Sequence, residues 1–175
     1  MEFAPCFRFC PWYPWLTGVR AEMFVQAYDA DSLVKVAIYA GRISSGEYER
    51  SVACALEMAR DTLQRPTTMA RVLVIVETPE VPPARFRRDL AEADKQMPRC
   101  DFAFVTQSAV ARAAMTVFNW ISPEREGRRR QVFSRFDEAR TWLVAGGARE
   151  SLIDLLYSRA RAELGGSGAR PVGKP

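Results

Sequence analysis

The sequence predicts a single α/β domain: a mixed, mostly parallel sheet of about five strands with covering helices. An opening pair of strand patterns is followed by alternating helical and strand patterns, which is typical of this class. Two later strands, 72–76 and 101–107, are apolar runs without alternation, as expected for strands covered on both faces. The chain has 175 residues, of which 48% are apolar, so it can bury one sizeable core.

The opening elements have the clearest boundaries. Strands are expected at 24–30 and 33–40, joined by a short turn, and the second alternates apolar side chains with others. A helix is expected at 45–64 because Ser44 and Glu47 have the spacing of a capping box, in which each side chain pairs with the other residue's free amide.

Prolines, glycines and caps bound the later elements. Pro82 and Pro83 suit the start of a helix, Ser108 stands where an N-cap is expected, and Gly146 and Gly147 end a helix. The predicted elements are a strand at 72–76, a helix to about residue 96, a strand at 101–107, a helix at 109–121, a strand at 130–134, a helix from 136 and a helix at 150–164. The order is therefore β-β-α-β-α-β-α-β-α-α.

The two ends of the chain differ from this pattern. Residues 1–22 mix aromatic side chains with prolines, which predicts a flexible leader or a start codon assigned too far upstream, with a partner-docking arm as the alternative. Residues 165–175 are rich in glycine and predict a disordered tail. The α/β domain is expected at 23–164, and the leader does not have the pattern of a signal peptide, so a cytoplasmic protein is expected.

Composition argues against several classes of function. The chain has no histidine, which removes Ser-His and Cys-His nucleophile pairs and most catalytic zinc sites. Cys6, Cys10, Cys54 and Cys100 form no C-x-x-C pair, so no metal site is expected, and buried free thiols are the simpler interpretation. No phosphate-binding glycine motif is present, so we expect neither a cofactor nor an enzyme.

The charge of the chain is modestly positive, at +4. Arginine greatly outnumbers lysine, as a GC-rich coding sequence would also produce, and proteins that bind nucleic acid usually carry a larger, clustered excess. Nucleic acid is therefore not an expected partner. No stretch of the sequence suggests a transmembrane segment.

Three segments resemble the SpoIIAA-like family, whose relatives are the STAS and Sec14-like domains. Residues 33–48 are similar to the family's second strand and its G-x-I-(S/T)-x-x-E-Y entry into the first helix, which here reads GRISSGEY. Residues 102–121 are similar to the central strand and apolar helix. Residues 132–143, with Val132-Phe133 and then FDEARTWL, are similar to the closing segment. The resemblance covers about 24–145.

The resemblance implies a small α/β domain without an assigned catalytic centre. The function expected first is a regulatory or scaffold domain that acts through contacts with a protein partner or through self-association. The alternative is a Sec14-like carrier or sensor of an apolar or lipid ligand. STAS regulators carry a phosphorylatable serine, in an Asp-Ser context, after the central strand. Thr78 is the nearest hydroxyl here, without that context, so a phosphorylation switch is not expected.

The densest charge in the sequence is an arginine cluster. Arg125, Arg128, Arg129 and Arg130 could bind the phosphate or carboxylate groups of an anionic partner, because guanidinium groups pair with such groups in a bidentate manner. The alternative is a solvated loop at the entry to a strand, where charge prevents edge-to-edge pairing.

A second candidate site follows two of the predicted strands. If those strands are parallel, Thr78 and the pair Gln107 and Ser108 emerge at the same edge of the sheet, where ligands of open α/β sheets bind. The alternative for Ser108 is a simple N-cap.

A third candidate lies in the predicted helix 109–121. Met115, Phe118 and Trp120 provide a large apolar area, which suggests the wall of a ligand cavity or a subunit contact. Burial under neighbouring helices is the alternative. A continuous cavity would favour the ligand carrier, and a solid core would favour the protein-binding domain.

Overall fold

Five strands form one mixed sheet, in which strands that follow each other in the chain are also neighbours in space. The first pair is antiparallel, and each later pair of neighbours is parallel.

The computed structural model describes residues 24–78, 82–97, 99–109, 112–113 and 127–166. The strands are β1 (Phe24–Asp29), β2 (Val34–Tyr39), β3 (Ala70–Val76), β4 (Cys100–Val105) and β5 (Arg128–Phe133). The helices within these residues are α1 (Ser45–Gln64), α2 (Ala84–Lys95), α3 (Phe136–Ala145) and α4 (Glu150–Gly166). The predicted α/β architecture is confirmed.

The start of α1 is fixed by the predicted capping box. Ser44 N donates to Glu47 Oε2 at 2.7 Å, and Glu47 N donates to Ser44 Oγ at 3.3 Å. Glu47 Oε1 also accepts a hydrogen bond from Phe24 N at 3.1 Å. Amides at a helix start have no partner within the helix, so one carboxylate both caps α1 and joins it to β1.

The sheet has two differently covered faces. Right-handed crossovers between parallel strands place α1 and α2 on one side, called here the α1/α2 face. Helices α3 and α4 cover the opposite side, the α3/α4 face. Successive residues of a strand alternate between these faces. In β2, Val36 and Ile38 therefore join the core under α3 and α4, and Ala37 joins the core under α1 and α2.

Several element boundaries differ from the prediction by one or two residues. β5 begins at Arg128, two residues before the predicted start, so the whole arginine triplet lies in the strand. α4 continues to Gly166, so the first two residues of the predicted tail are helical. The leader, the rest of the tail and most of the predicted helix 109–121 lie outside the described residues. Among the helices that the structure describes, none is long and apolar enough to cross a membrane.

Candidate ligand-binding site

A cavity of about 120 Å³ lies between the α1/α2 face of the sheet and its two helices. Its floor is formed by side chains of the three central strands, and its roof by side chains of α1 and α2. The principal apolar residues of its wall are Ala37, Val72, Val74, Phe102, Phe104, Ala55, Met58, Phe86 and Leu90. The cavity is called the α1/α2 cavity below.

Lys35 is one of three charged residues in this largely apolar wall, with Arg87 and Asp94. It lies on the α1/α2 face of β2, between Tyr28 of β1 and Val72 of β3, and lines the cavity although the residue is only 6% exposed. Burial lowers the pKa of its ammonium group from 10.5 to about 8, because the charged form is desolvated.

The groups around Lys35 do not neutralise it. Cys54, Glu57 and Cys100 oppose the fall in its pKa, but in the described part of the chain no carboxylate forms an ion pair with the ammonium group. Burial raises the pKa of the Cys100 thiol to about 12, so this thiol is neutral at pH 7. Cys54 and Cys100 are buried free thiols, as predicted.

Hydroxyl groups line the opposite end of the cavity. Tyr39, at the end of β2, bonds to Ser51 of α1, and burial raises the pKa of the phenol. Thr78, in the loop after β3, is 3% exposed and lines this end as well. The cavity therefore runs from a lysine near the start of β2 to neutral hydroxyl groups near its end.

A second pocket, of about 540 Å³, lies at the carboxyl edge of β3, β4 and β5. Thr78, Gln107 and Ser108 all line it, because β3 and β4 are parallel and end at the same edge. The predicted meeting of these three residues is confirmed. The carbonyl of Ser108 accepts a helical hydrogen bond from Arg112 N at 3.0 Å, as that of an N-cap residue does.

This edge pocket contains an ion pair that the sequence does not reveal. Arg161 of α4 forms a bidentate pair with Glu77, with Nη1 donating to Oε2 at 2.9 Å, and its Nε donates to Tyr157 Oη at 3.0 Å. The hydrogen bond to Glu77 raises the pKa of Arg161. The arginine is thus already neutralised by its own chain, and the pocket is polar without a free positive charge at this position.

Three arginines of the cluster are also paired with carboxylates of the chain. Arg128 and Arg130 both form ion pairs with Asp94 of α2, and the side chains of both arginines are 3% exposed. Arg129 points to the other face, where its Nε and Nη2 donate to Asp101 at 2.7 and 2.6 Å.

These contacts correct one of the two interpretations of the cluster. The solvated-loop interpretation is wrong for Arg128 and Arg130, because both side chains are buried and lie in β5. An anionic partner at these positions would have to displace Asp94 from two guanidinium groups. Arg125, Met115, Phe118 and Trp120 lie outside the described residues, so their proposed roles stay predictions.

Sequence reasoning missed Lys35 as a candidate, although a signal for it was present. Alternation in β2 is compatible with a strand that has one solvated face. β2 is nevertheless followed by two β-α-β crossovers, and right-handed crossovers bring helices over the face on which Lys35 lies. A lysine inside a strand that is covered on both faces is the pattern that would have identified it.

Comparison with known proteins adds no assignment. The chain matches no protein-family model, and neither curated proteins nor solved structures give a match. In the part of the chain that the structure describes, no group of three or more histidine, cysteine or acidic side chains is placed to hold a metal ion.

Proposed function

We propose that this chain is a non-catalytic binding domain that holds a small apolar ligand in the α1/α2 cavity. The observation that carries the proposal is the cavity itself, whose wall is almost wholly apolar and lies between the sheet and two helices. Protein interiors are close-packed, and ligand sites are typically apolar concavities with few polar groups.

The volume of the cavity limits the ligand. A cavity of roughly 150 Å³ accommodates benzene, and drug-sized ligands occupy pockets of about 300–1,000 Å³. A cavity of about 120 Å³ therefore suits a body of about six to eight non-hydrogen atoms. Of the apolar and lipid ligands that the Sec14-like resemblance implies, we propose the small apolar ones, because a two-chain lipid exceeds this volume.

The regulatory or scaffold role is retained as the second proposal, and it rests on the resemblance to the SpoIIAA-like family. The exposed large apolar residues in the described part of the chain are Leu63 of α1 and Leu155 of α4, which are on opposite sides of the sheet. Single exposed leucines are ordinary on soluble domains. A sensor would join the two proposals, because ligand occupancy under α1 and α2 would alter the surface that these helices offer to a partner.

The first proposal is tested by filling the cavity. Fluorobenzene binding to the full chain is followed by ¹⁹F NMR, and we expect saturable binding to the wild type. Ala55→Leu places three further carbons in the cavity wall and should abolish this binding. Ala53→Leu is the matched control, since it makes the same change on the exposed side of α1. Wild-type protein that does not bind the probe, or equal binding by the Ala55→Leu variant, would overturn the proposal.

A further inference from the structure

The ammonium group of Lys35 is unusual among the charges on the α1/α2 face. Arg128 and Arg130 share Asp94, and the Tyr28 hydroxyl donates to Asp61 Oδ2 at 2.8 Å. Lys35 is 6% exposed, close to the values of Asp94 and Arg128, yet within the described residues it has no ion-pair partner. Its side chain lines the α1/α2 cavity instead.

A buried charge without a partner is costly, and the cost is met in one of two ways. Either the group loses its charge, or an opposite charge is brought to it. At pH 7 the first does not suffice, because a group with a pKa of about 8 is still mostly protonated. No described residue supplies that opposite charge, so we look for it in a molecule that enters the cavity.

We infer that Lys35 binds the carboxylate of a small organic acid whose apolar body occupies the α1/α2 cavity. This inference rests on the proposed function and adds the chemical class of the ligand. An ammonium group offers three donors to carboxylate oxygens, and a charge-assisted hydrogen bond is strengthened in surroundings of low polarity.

The low polarity of the wall favours a monocarboxylate over a phosphate. Two other charged side chains line the cavity: Asp94 pairs with two arginines, and Arg87 donates to Pro82 O at 2.6 Å, which holds the guanidinium without cancelling its charge. A phosphate group, which is partly dianionic at pH 7, is costlier to desolvate in such a wall than a carboxylate with one charge. A monocarboxylate with a short alkyl chain or one aromatic ring matches both the charge and the volume.

The inference also implies a dependence on pH. Affinity for the acid should fall as the pH rises through about 8, because Lys35 then loses its proton. The groups that face it are Tyr28 of β1, Cys54 and Glu57 of α1 and Cys100 of β4. Burial keeps the Tyr28 and Cys100 groups protonated beyond this pH range, so these two do not titrate with Lys35.

The test compares an acid with its neutral analogue. Binding of hexanoate and of 1-hexanol to the full chain is measured by isothermal titration calorimetry at pH 6.5 and 9.5. We expect the wild type to prefer hexanoate by at least tenfold at pH 6.5 and to lose most of that preference at pH 9.5. Lys35→Met should bind hexanol at both pH values without preferring the acid.

Two controls keep the outcomes distinct. Lys95→Met removes a lysine on the outer side of α2, where it pairs with Glu92, and should leave the preference unchanged. Melting curves report whether Lys35→Met is folded, and Lys35→Arg should retain part of the preference. Equal affinity of the wild type for the two compounds would overturn the role of Lys35 and leave the cavity proposal standing. Failure of both compounds to bind would overturn the proposed function itself.

Discussion

The two faces of the sheet are packed differently although they share the same five strands. Under α3 and α4 the centre of the core is closed, with Leu143, Ile153, Leu156 and Ala160 at 1% exposure or less, and the edge pocket opens only where β3, β4 and β5 end. α4 crosses β1 and β2 at close range. Under α1 and α2 the sheet keeps a cavity and buries a lysine within its wall.

The difference is informative because stability and binding make opposite demands on a core. A filled core stabilises the fold, whereas a cavity and an uncompensated charge both reduce stability. Proteins tolerate such features mainly at sites that act on a ligand. The α3/α4 face therefore serves as the supporting layer, and the α1/α2 face is the place where we expect binding.

Charged residues near the amino-terminal ends of β4 and β5 also differ in burial between the two faces. On the α3/α4 face the Asp101 carboxylate is fully buried, but its partner Arg129 is 54% exposed and lies over the Trp142 ring at 5.2 Å. On the α1/α2 face Asp94 and both of its arginines are buried. Loss of one partner is therefore more costly on the α1/α2 face, since no member of that group can be rehydrated in place.

The largest expected effect follows from this buried group. Asp94→Asn leaves two buried guanidinium groups without the negative charge that they share, and we expect a loss of about 3–5 kcal/mol in the free energy of unfolding. Urea denaturation at pH 7 measures it. Glu92→Gln is the control, because Glu92 pairs with Lys95 on the exposed side of the same helix and should cost about 0–1 kcal/mol. Similar losses for the two variants would show that the group around Asp94 is hydrated.

The sequence predicts the supporting frame well, because the frame depends on local signals. The capping box at Ser44 and Glu47, the apolar runs of β3 and β4 and the glycines after α3 each act within a few residues. Parallel pairing then places Thr78 and Ser108 in the same pocket at the edge of the sheet, as predicted from the parallel arrangement of the strands.

The candidate sites are harder to predict than the frame because they depend on contacts between residues that are distant in the sequence. The burial of Arg128 requires Asp94, which is 34 positions away, and the burial of Lys35 requires helices that cover β2. Arg161 and Glu77 are 84 positions apart. In the sequence, Asp94 reads as an ordinary helix-surface residue, and the arginine triplet reads as a loop, because neither pattern contains its partner.

The second prediction concerns the pH dependence of stability, to which the buried Lys35 of the α1/α2 face contributes. The Lys35 ammonium has a pKa of about 8 in the folded chain and an ordinary value of 10.5. Because the folded pKa is the lower one, the folded state is penalised below pH 8, and the penalty disappears as the pH rises from 8 to 10.5. The difference between these two pKa values corresponds to a loss of roughly 3 kcal/mol in the free energy of unfolding below pH 8.

Lys35→Met removes this penalty, so we expect its free energy of unfolding to be higher than that of the wild type at pH 7. The difference in free energy of unfolding between the two proteins should narrow by roughly 3 kcal/mol as the pH rises to 10.5. Parallel urea titrations of the two proteins at several pH values measure it, and the paired comparison cancels the opposing effect of Cys100, whose raised pKa destabilises the fold above pH 9. A difference that does not change with pH would mean that Lys35 is solvated in the native state.

The smallest effect is expected from alanine-to-leucine substitutions, which compare the packing under the two faces of the sheet. Ala160 of α4 is fully buried in the closed core, and Ala55 of α1 lines the cavity. Ala160→Leu forces three additional carbons into a filled core and should cost about 1–3 kcal/mol. Ala55→Leu fills existing space and should leave the free energy of unfolding unchanged or raise it by about 0.5–2 kcal/mol. Ala53→Leu, on the exposed side of α1, measures the effect of the change in helix propensity alone.

Chemical denaturation of the three variants measures their order of stability, and we expect Ala160→Leu to be the least stable. Equal destabilisation by Ala55→Leu and Ala160→Leu would mean that both cores are filled, and the contrast between the two faces would then be lost.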